Sequence, residues 1–172
     1  MNSAAAIDVG SNAIRLAIGS LDSEGHLVVV QNYREAIRLG QDVFSNGEIS
    51  EQAIERLVVA FSQFQQTIVR HGIKKVRAVA TSAMREAANQ RDVLKRIKER
   101  SGISLEVISG TDEARLVAEA VIATVDLRKK LALLIDIGGG SLEISLVDDG
   151  DVIFSDSVKL GAVRLLRILE EN

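Results

Sequence analysis

The strongest constraint in this chain is a turn that it uses twice. Ile7-Asp8-Val9-Gly10 recurs as Ile135-Asp136-Ile137-Gly138, with the aspartates 128 residues apart. Each copy closes a short apolar run with Asp-x-Gly, and each opens a second one. Ala13-Ile14-Arg15-Leu16 follows the first turn, and Ser141-Leu142-Glu143-Ile144 occupies the same place after the second. A chain that repeats strand, glycine turn and strand is expected to fold as two related lobes.

The pattern between the turns fills in the first lobe. Apolar runs at 4–9, 13–20 and 27–34, joined by short turns, predict an antiparallel meander. Residues 40–47 read as a polar loop. Ser50 then caps a helix whose Ile54, Leu57, Val58, Phe61, Phe64 and Ile68 recur at helical spacing, closed by Gly72. A strand at 76–80 follows, then a helix capped by Asn89, with Val93, Leu94 and Ile97 on one face. A strand at 105–108 leads to a helix capped by Thr111, with Ala114, Val117, Ala118, Val121 and Ile122 turned inward. Strands alternating with helices require crossovers and a mostly parallel sheet. After a charged linker at 126–130 the pattern restarts, with strands at 131–137, 142–147 and 152–158 and a helix at 161–171. The expected division is a first lobe at 1–128 and a shorter second lobe, βββα, at 129–172.

Composition removes several functions. There are no cysteines, so thiolate metal sites, disulfides and cysteine nucleophiles are excluded. A net charge of −3 argues against nucleic-acid binding held by phosphate attraction. No apolar run reaches the roughly 20 residues of a membrane span. The N-terminus lacks the basic segment of a secretory signal, so a cytoplasmic location is expected.

The turns carry the chemistry. Glycine lets backbone approach a ligand closely, and successive N–H groups in a turn form an anion-binding concavity. Gly10, Ser11 and Asn12 supply one such turn, and Gly138, Gly139, Gly140 and Ser141 the other. Either alone reads equally well as an ordinary hairpin; the repetition favours phosphate. Two turns facing each other would grip a phosphate chain between lobes, with Asp8 and Asp136 near a divalent cation, for which magnesium is the natural choice. Arg15 is either a phosphate ligand or a surface arginine. Arg85 follows the end of a strand, where open α/β sheets bind ligands, or is a charge in a helix's first turn. Glu113 is either a carboxylate that activates water or an acid placed to suit a helix dipole. Glu143 is a second candidate carboxylate.

Five segments together resemble one family. They are Ile7 to Leu16, Ala80 to Ala87 (Ala-Thr-Ser-Ala-Met-Arg-Glu-Ala), Ile108 to Leu116 (Ile-Ser-Gly-Thr-Asp-Glu-Ala-Arg-Leu), Ile135 to Glu143, and Leu160 to Leu165 (Leu-Gly-Ala-Val-Arg-Leu). In this order they resemble the exopolyphosphatase/guanosine pentaphosphatase family, within the superfamily of actin, sugar kinases and heat-shock ATPases. The resemblance implies a ribonuclease H-like, actin-type α/β fold with a complete first lobe and the start of a duplicated second. It implies removal of terminal phosphate from polyphosphate or guanosine pentaphosphate, with magnesium. Glu113 matches the catalytic base, Glu143 a second active-site glutamate and Arg85 a phosphate-binding arginine. Leu142 stands where the family usually has threonine. A non-hydrolytic polyphosphate or alarmone-binding module, or an inactive truncated fragment, is the alternative. A second lobe of this length is also expected to expose apolar strand edge or helix face and to self-associate.

Overall fold

The computed structural model describes residues 3–170 and contains two compact units, the first running to Val107 and the second from Ile108. In the first unit β1 (Ser3–Val9), β2 (Ile14–Leu21) and β3 (Leu27–Glu35) form the expected meander. Helices α1 (Leu39–Asn46) and α2 (Glu51–Arg70) precede β4 (Lys75–Ala80). Helices α3 (Ser82–Glu86) and α4 (Gln90–Ser101) and a two-residue β5 (Glu106–Val107) complete the unit. The sheet order is β3-β2-β1-β4-β5. Two of its pairings are antiparallel and two parallel, so the parallel part is confined to the crossovers.

Period-two burial explains how this sheet meets its helices. Ala5, Ile7 and Val9 of β1, Ile14, Leu16 and Ile18 of β2, and Ala78 and Ala80 of β4 point into one apolar cluster. From the helices, Leu57, Phe61, Met84, Val93 and Ile97 join it. Full burial of such side chains contributes about 1.5–3 kcal/mol each. The opposite face carries Ala4, Ala6, Ala17 and Gly19 on the floor of an open groove of about 580 Å³.

Three expectations need correction. Residues 40–47 are not a loop: α1 forms because Leu39 and Val43, one turn apart, are both buried, and Gly47 ends it in the left-handed conformation. Asn89 does not cap α4 with its side chain. Its amide instead pairs with the Ile49 backbone, accepting from N (3.0 Å) and donating to O (2.7 Å). Ser109, not Thr111, caps the next helix, α5 (Gly110–Ile122), by accepting from Asp112 N at 3.0 Å.

The second unit holds α5, then β6 (Leu131–Ile137), β7 (Leu142–Asp148), β8 (Asp151–Val158) and α6 (Ala162–Glu170), with sheet order β6-β7-β8, antiparallel throughout. The sequence reading places α5 at the end of the first lobe, at residue 128. In the structure it packs on β7 and β8 through Ala114 and Ala118. Only those two of its five expected inward residues are fully buried; Val117, Val121 and Ile122 are half-buried. Helical periodicity identifies the apolar face of a helix but not the sheet that receives it. On the other face of this sheet the β6 side chains are uncovered: Leu131, Leu133, Ile135 and Ile137 are 57–70% exposed. Among the described residues no helix is long and apolar enough to cross a membrane.

Candidate active site

The repeated turns are repeated in three dimensions, each within its own unit. Gly10 N donates to Ala13 O at 3.0 Å, and Gly138 N donates to Ser141 O at 2.9 Å. Val9 faces Ile14 across the first hairpin as Ile137 faces Leu142 across the second. Even the bulges correspond. The register shifts between Ile18 and Gly19 in one and between Leu146 and Val147 in the other, at equivalent positions.

In the first unit the turn sits at the C-terminal ends of β1 and β4. Thr81 N donates to Val9 O at 3.1 Å, which fixes the start of α3 beside it. Buried Ser11 and buried Ser82 share a hydroxyl hydrogen bond of 2.7 Å. The turn is held from the other side by α1: Arg38 N donates to Asn12 O (2.9 Å) and Gly40 N to Ser11 O (2.7 Å). Asn12 is left exposed. Asp8 faces Arg15 in register, and the guanidinium donates to its carboxylate at 3.3 Å. Burial raises the Asp8 carboxyl above its ordinary value, and Arg15 opposes that shift. Arg85 lies on α3, half-buried, with its backbone N donating to Thr81 O. Thus Gly10, Ser11, Asn12, Asp8 and Arg15 share one turn, and Ser82 ties it to the helix that carries Arg85.

In the second unit Asp136 faces Glu143 across the hairpin. Both line a cavity of about 260 Å³ with Ala114, Ala118, Leu134 and Ser145. Glu143 is only 3% exposed and accepts from Ser157 Oγ at 2.9 Å. Glu113 lies in the first turn of α5, next to the cavity-lining Ala114, and is half-buried. The hairpin register therefore places two carboxylates, Asp136 and Glu143, on one cavity of this unit. Gly138, Gly139, Gly140 and Ser141 continue from it, with Ser141 buried.

Sequence reasoning missed Ser82, Ser157 and the residues that clamp each turn. One sequence signal marks the clamps. Ile37-Arg38-Leu39-Gly40 and Val158-Lys159-Leu160-Gly161 are alike, and each runs into the helix that holds its turn.

A divalent cation fits the donor chemistry. Among the described residues no three His, Asp or Glu side chains gather as a ready-made metal cage. Magnesium, however, takes one or two carboxylates and completes its shell with water and phosphate oxygens. Asp8 and Asp136 each offer one hard oxygen donor beside a phosphate-type turn.

Comparison with known proteins agrees with this geometry. The model of the Ppx/GppA phosphatase family matches residues 20–170. Exopolyphosphatase 1 of Mycobacterium leprae is 36% identical over 161 residues, covering 94% of this chain and 48% of that protein. The crystal structure of an exopolyphosphatase from Cytophaga hutchinsonii superimposes with a TM-score of 0.90 at 30% identity, over 96% of this chain and 53% of that one. The Aquifex aeolicus member of the Ppx/GppA family gives 0.85 at 30% identity, with the same coverage. The chain spans about half the length of these relatives. Its fold is the actin-type α/β fold expected from the motifs, and the chain belongs to the Ppx/GppA phosphatase family.

Proposed function

We propose that this chain carries the catalytic machinery of a phosphoanhydride hydrolase that removes terminal phosphate from inorganic polyphosphate, from guanosine pentaphosphate, or from both. The observation that carries the reading is the pair of carboxylates Asp136 and Glu143, facing each other across the second hairpin and lining one cavity beside a glycine turn. Phosphoanhydride hydrolysis needs a carboxylate to orient water and accept its proton, and fixed donors for the charge on the phosphate oxygens. In this reading Glu113 is the general base and Glu143, anchored by Ser157, positions the water or the cation. The N–H groups of the two turns, with Arg15 and Arg85, bind the phosphates. Asp8 and Asp136 would each offer a carboxylate oxygen to magnesium, which when bound would supply charge neutralisation for the phosphate oxygens. The names of the relatives support polyphosphate as the substrate. Their family relation supports a cytoplasmic enzyme.

The test is phosphate release from long-chain polyphosphate and from guanosine pentaphosphate in the presence of magnesium. Glu113→Gln is expected to lower the rate by about 10²–10⁴-fold, the range for loss of a general base. An unchanged rate refutes the role of Glu113. Binding without release by the unmodified chain establishes the non-hydrolytic module instead.

We also propose that the chain self-associates through the second unit. Leu131, Leu133, Ile135 and Ile137 are exposed together on edge strand β6, with Leu166 and Leu169 exposed on α6. An uncovered apolar edge strand templates pairing with another chain. Sedimentation across micromolar concentrations is expected to show dimers or larger species, which Leu133→Lys disperses. A monomer throughout rules this out.

A further inference from the structure

The second glycine turn has an unusual hydrogen-bond balance. Every one of its glycine carbonyls is engaged from the same short segment. Ala162 N donates to Gly138 O at 2.9 Å. Val163 N and Arg164 N donate to Gly139 O at 2.8 and 3.2 Å. The Arg164 side chain donates through Nε to Gly140 O at 2.9 Å. A trans peptide points its C=O and the following N–H in opposite directions. Anchoring these three carbonyls therefore turns the N–H groups of Gly139, Gly140 and Ser141 the other way.

Those three N–H groups have no hydrogen-bond partner among the described residues. Gly140 and Ser141 are nevertheless buried. Buried backbone donors are almost always paired, so an unpaired set calls for a ligand. Three consecutive N–H groups left unpartnered in a turn suit an anion with several oxygens. The first N–H groups of α6, in contrast, are already bonded to the turn, so the helix N-terminus itself is not the anion site.

Gly161 makes the arrangement possible. A Cβ built on it would fall on the Gly139–Gly140 peptide, so no other residue allows the segment to lie this close. Arg164 makes it specific. Its side chain supplies the only anchor on Gly140 O recorded among the described residues, and that peptide orients Ser141 N.

We propose that Arg164 is a positioning residue for phosphate binding. Through Gly140 O it presents the N–H groups of the Gly138–Ser141 turn to the substrate's phosphate oxygens and does not touch the phosphate itself. This rests on the phosphatase reading and assigns a role to a segment that reading leaves unused.

The test is calorimetric titration of the chain with tripolyphosphate and magnesium. Arg164→Ala is expected to weaken binding about tenfold, the effect of losing one charge-assisted hydrogen bond. Arg164→Gln and Arg164→Lys keep an N–H donor and are both expected to regain most of the affinity. Arg167→Ala, on the same helix but paired with Glu170, is expected to bind as the unmodified chain does. Rescue by lysine alone would mean that the charge contacts phosphate directly, which overturns the positioning role. Unchanged affinity in Arg164→Ala beside normal binding by the unmodified chain also overturns it, and leaves the phosphatase reading intact. If Arg164→Ala does not fold, the glutamine and lysine variants decide by the same comparison. No binding by the unmodified chain refutes both readings.

Discussion

The two glycine turns share a register and a bulge but differ in how they are held. Main-chain donors hold the first, with Arg38 N and Gly40 N on the carbonyls of Asn12 and Ser11, and a serine pair adds a bond from α3. The second is held by main chain from Ala162 to Arg164 and by one side chain, that of Arg164. The partner of the turn aspartate differs as well: Arg15 faces Asp8, and Glu143 faces Asp136. One hairpin design thus gives a turn whose aspartate is neutralised by a cation and a turn whose aspartate stands opposite another acid. The duplication preserves the backbone, and the facing residue sets the charge beside each turn.

Substitutions at the clamps test that difference, and their expected effects fall in order. Gly161→Ala is the most severe. Its Cβ meets backbone that cannot rotate away, so unfolding free energy should drop by about 3 kcal/mol, the upper range for overpacking, with tripolyphosphate binding lost. Ser82→Ala comes next. It leaves the buried Ser11 hydroxyl without its partner, at a cost of about 1 kcal/mol. Gly40→Ala is mildest. Its Cβ would meet the Phe44 ring at 2.8 Å and the Ser11 side chain at 3.1 Å. The ring belongs to a half-buried side chain that can shift, and alanine recovers up to about 1 kcal/mol of helix propensity. Denaturant midpoints on the three variants give the order. A Gly40→Ala loss as large as that of Gly161→Ala would break the distinction between a rigid and a yielding clamp.

Much of this was legible in the sequence. The aspartates, glycines and acidic positions of both turns lay in an internal repeat, and strand periodicity placed them at hairpin ends. Local residue order was enough because a hairpin's register follows from its turn. What was not legible depended on distance along the chain. Ser11 meets Ser82 and Gly140 meets Arg164 only after folding, and neither partner stands out in its own segment. Helix α1 was hidden because Gly40, Gln41, Asp42, Ser45 and Asn46 outnumber the two buried residues that make it a helix. The cap of α5 was misplaced by two residues because Ser109 and Thr111 are both competent caps. The Asp112 N–H chose between them.

The central claim is that both matched turns are phosphate-binding turns. Its most direct test is a titration of the ¹⁵N-labelled chain with tripolyphosphate and magnesium, following the backbone amides of Asn12, Gly139, Gly140 and Ser141. The account predicts that all four shift and saturate. Shifts confined to one turn would contradict it.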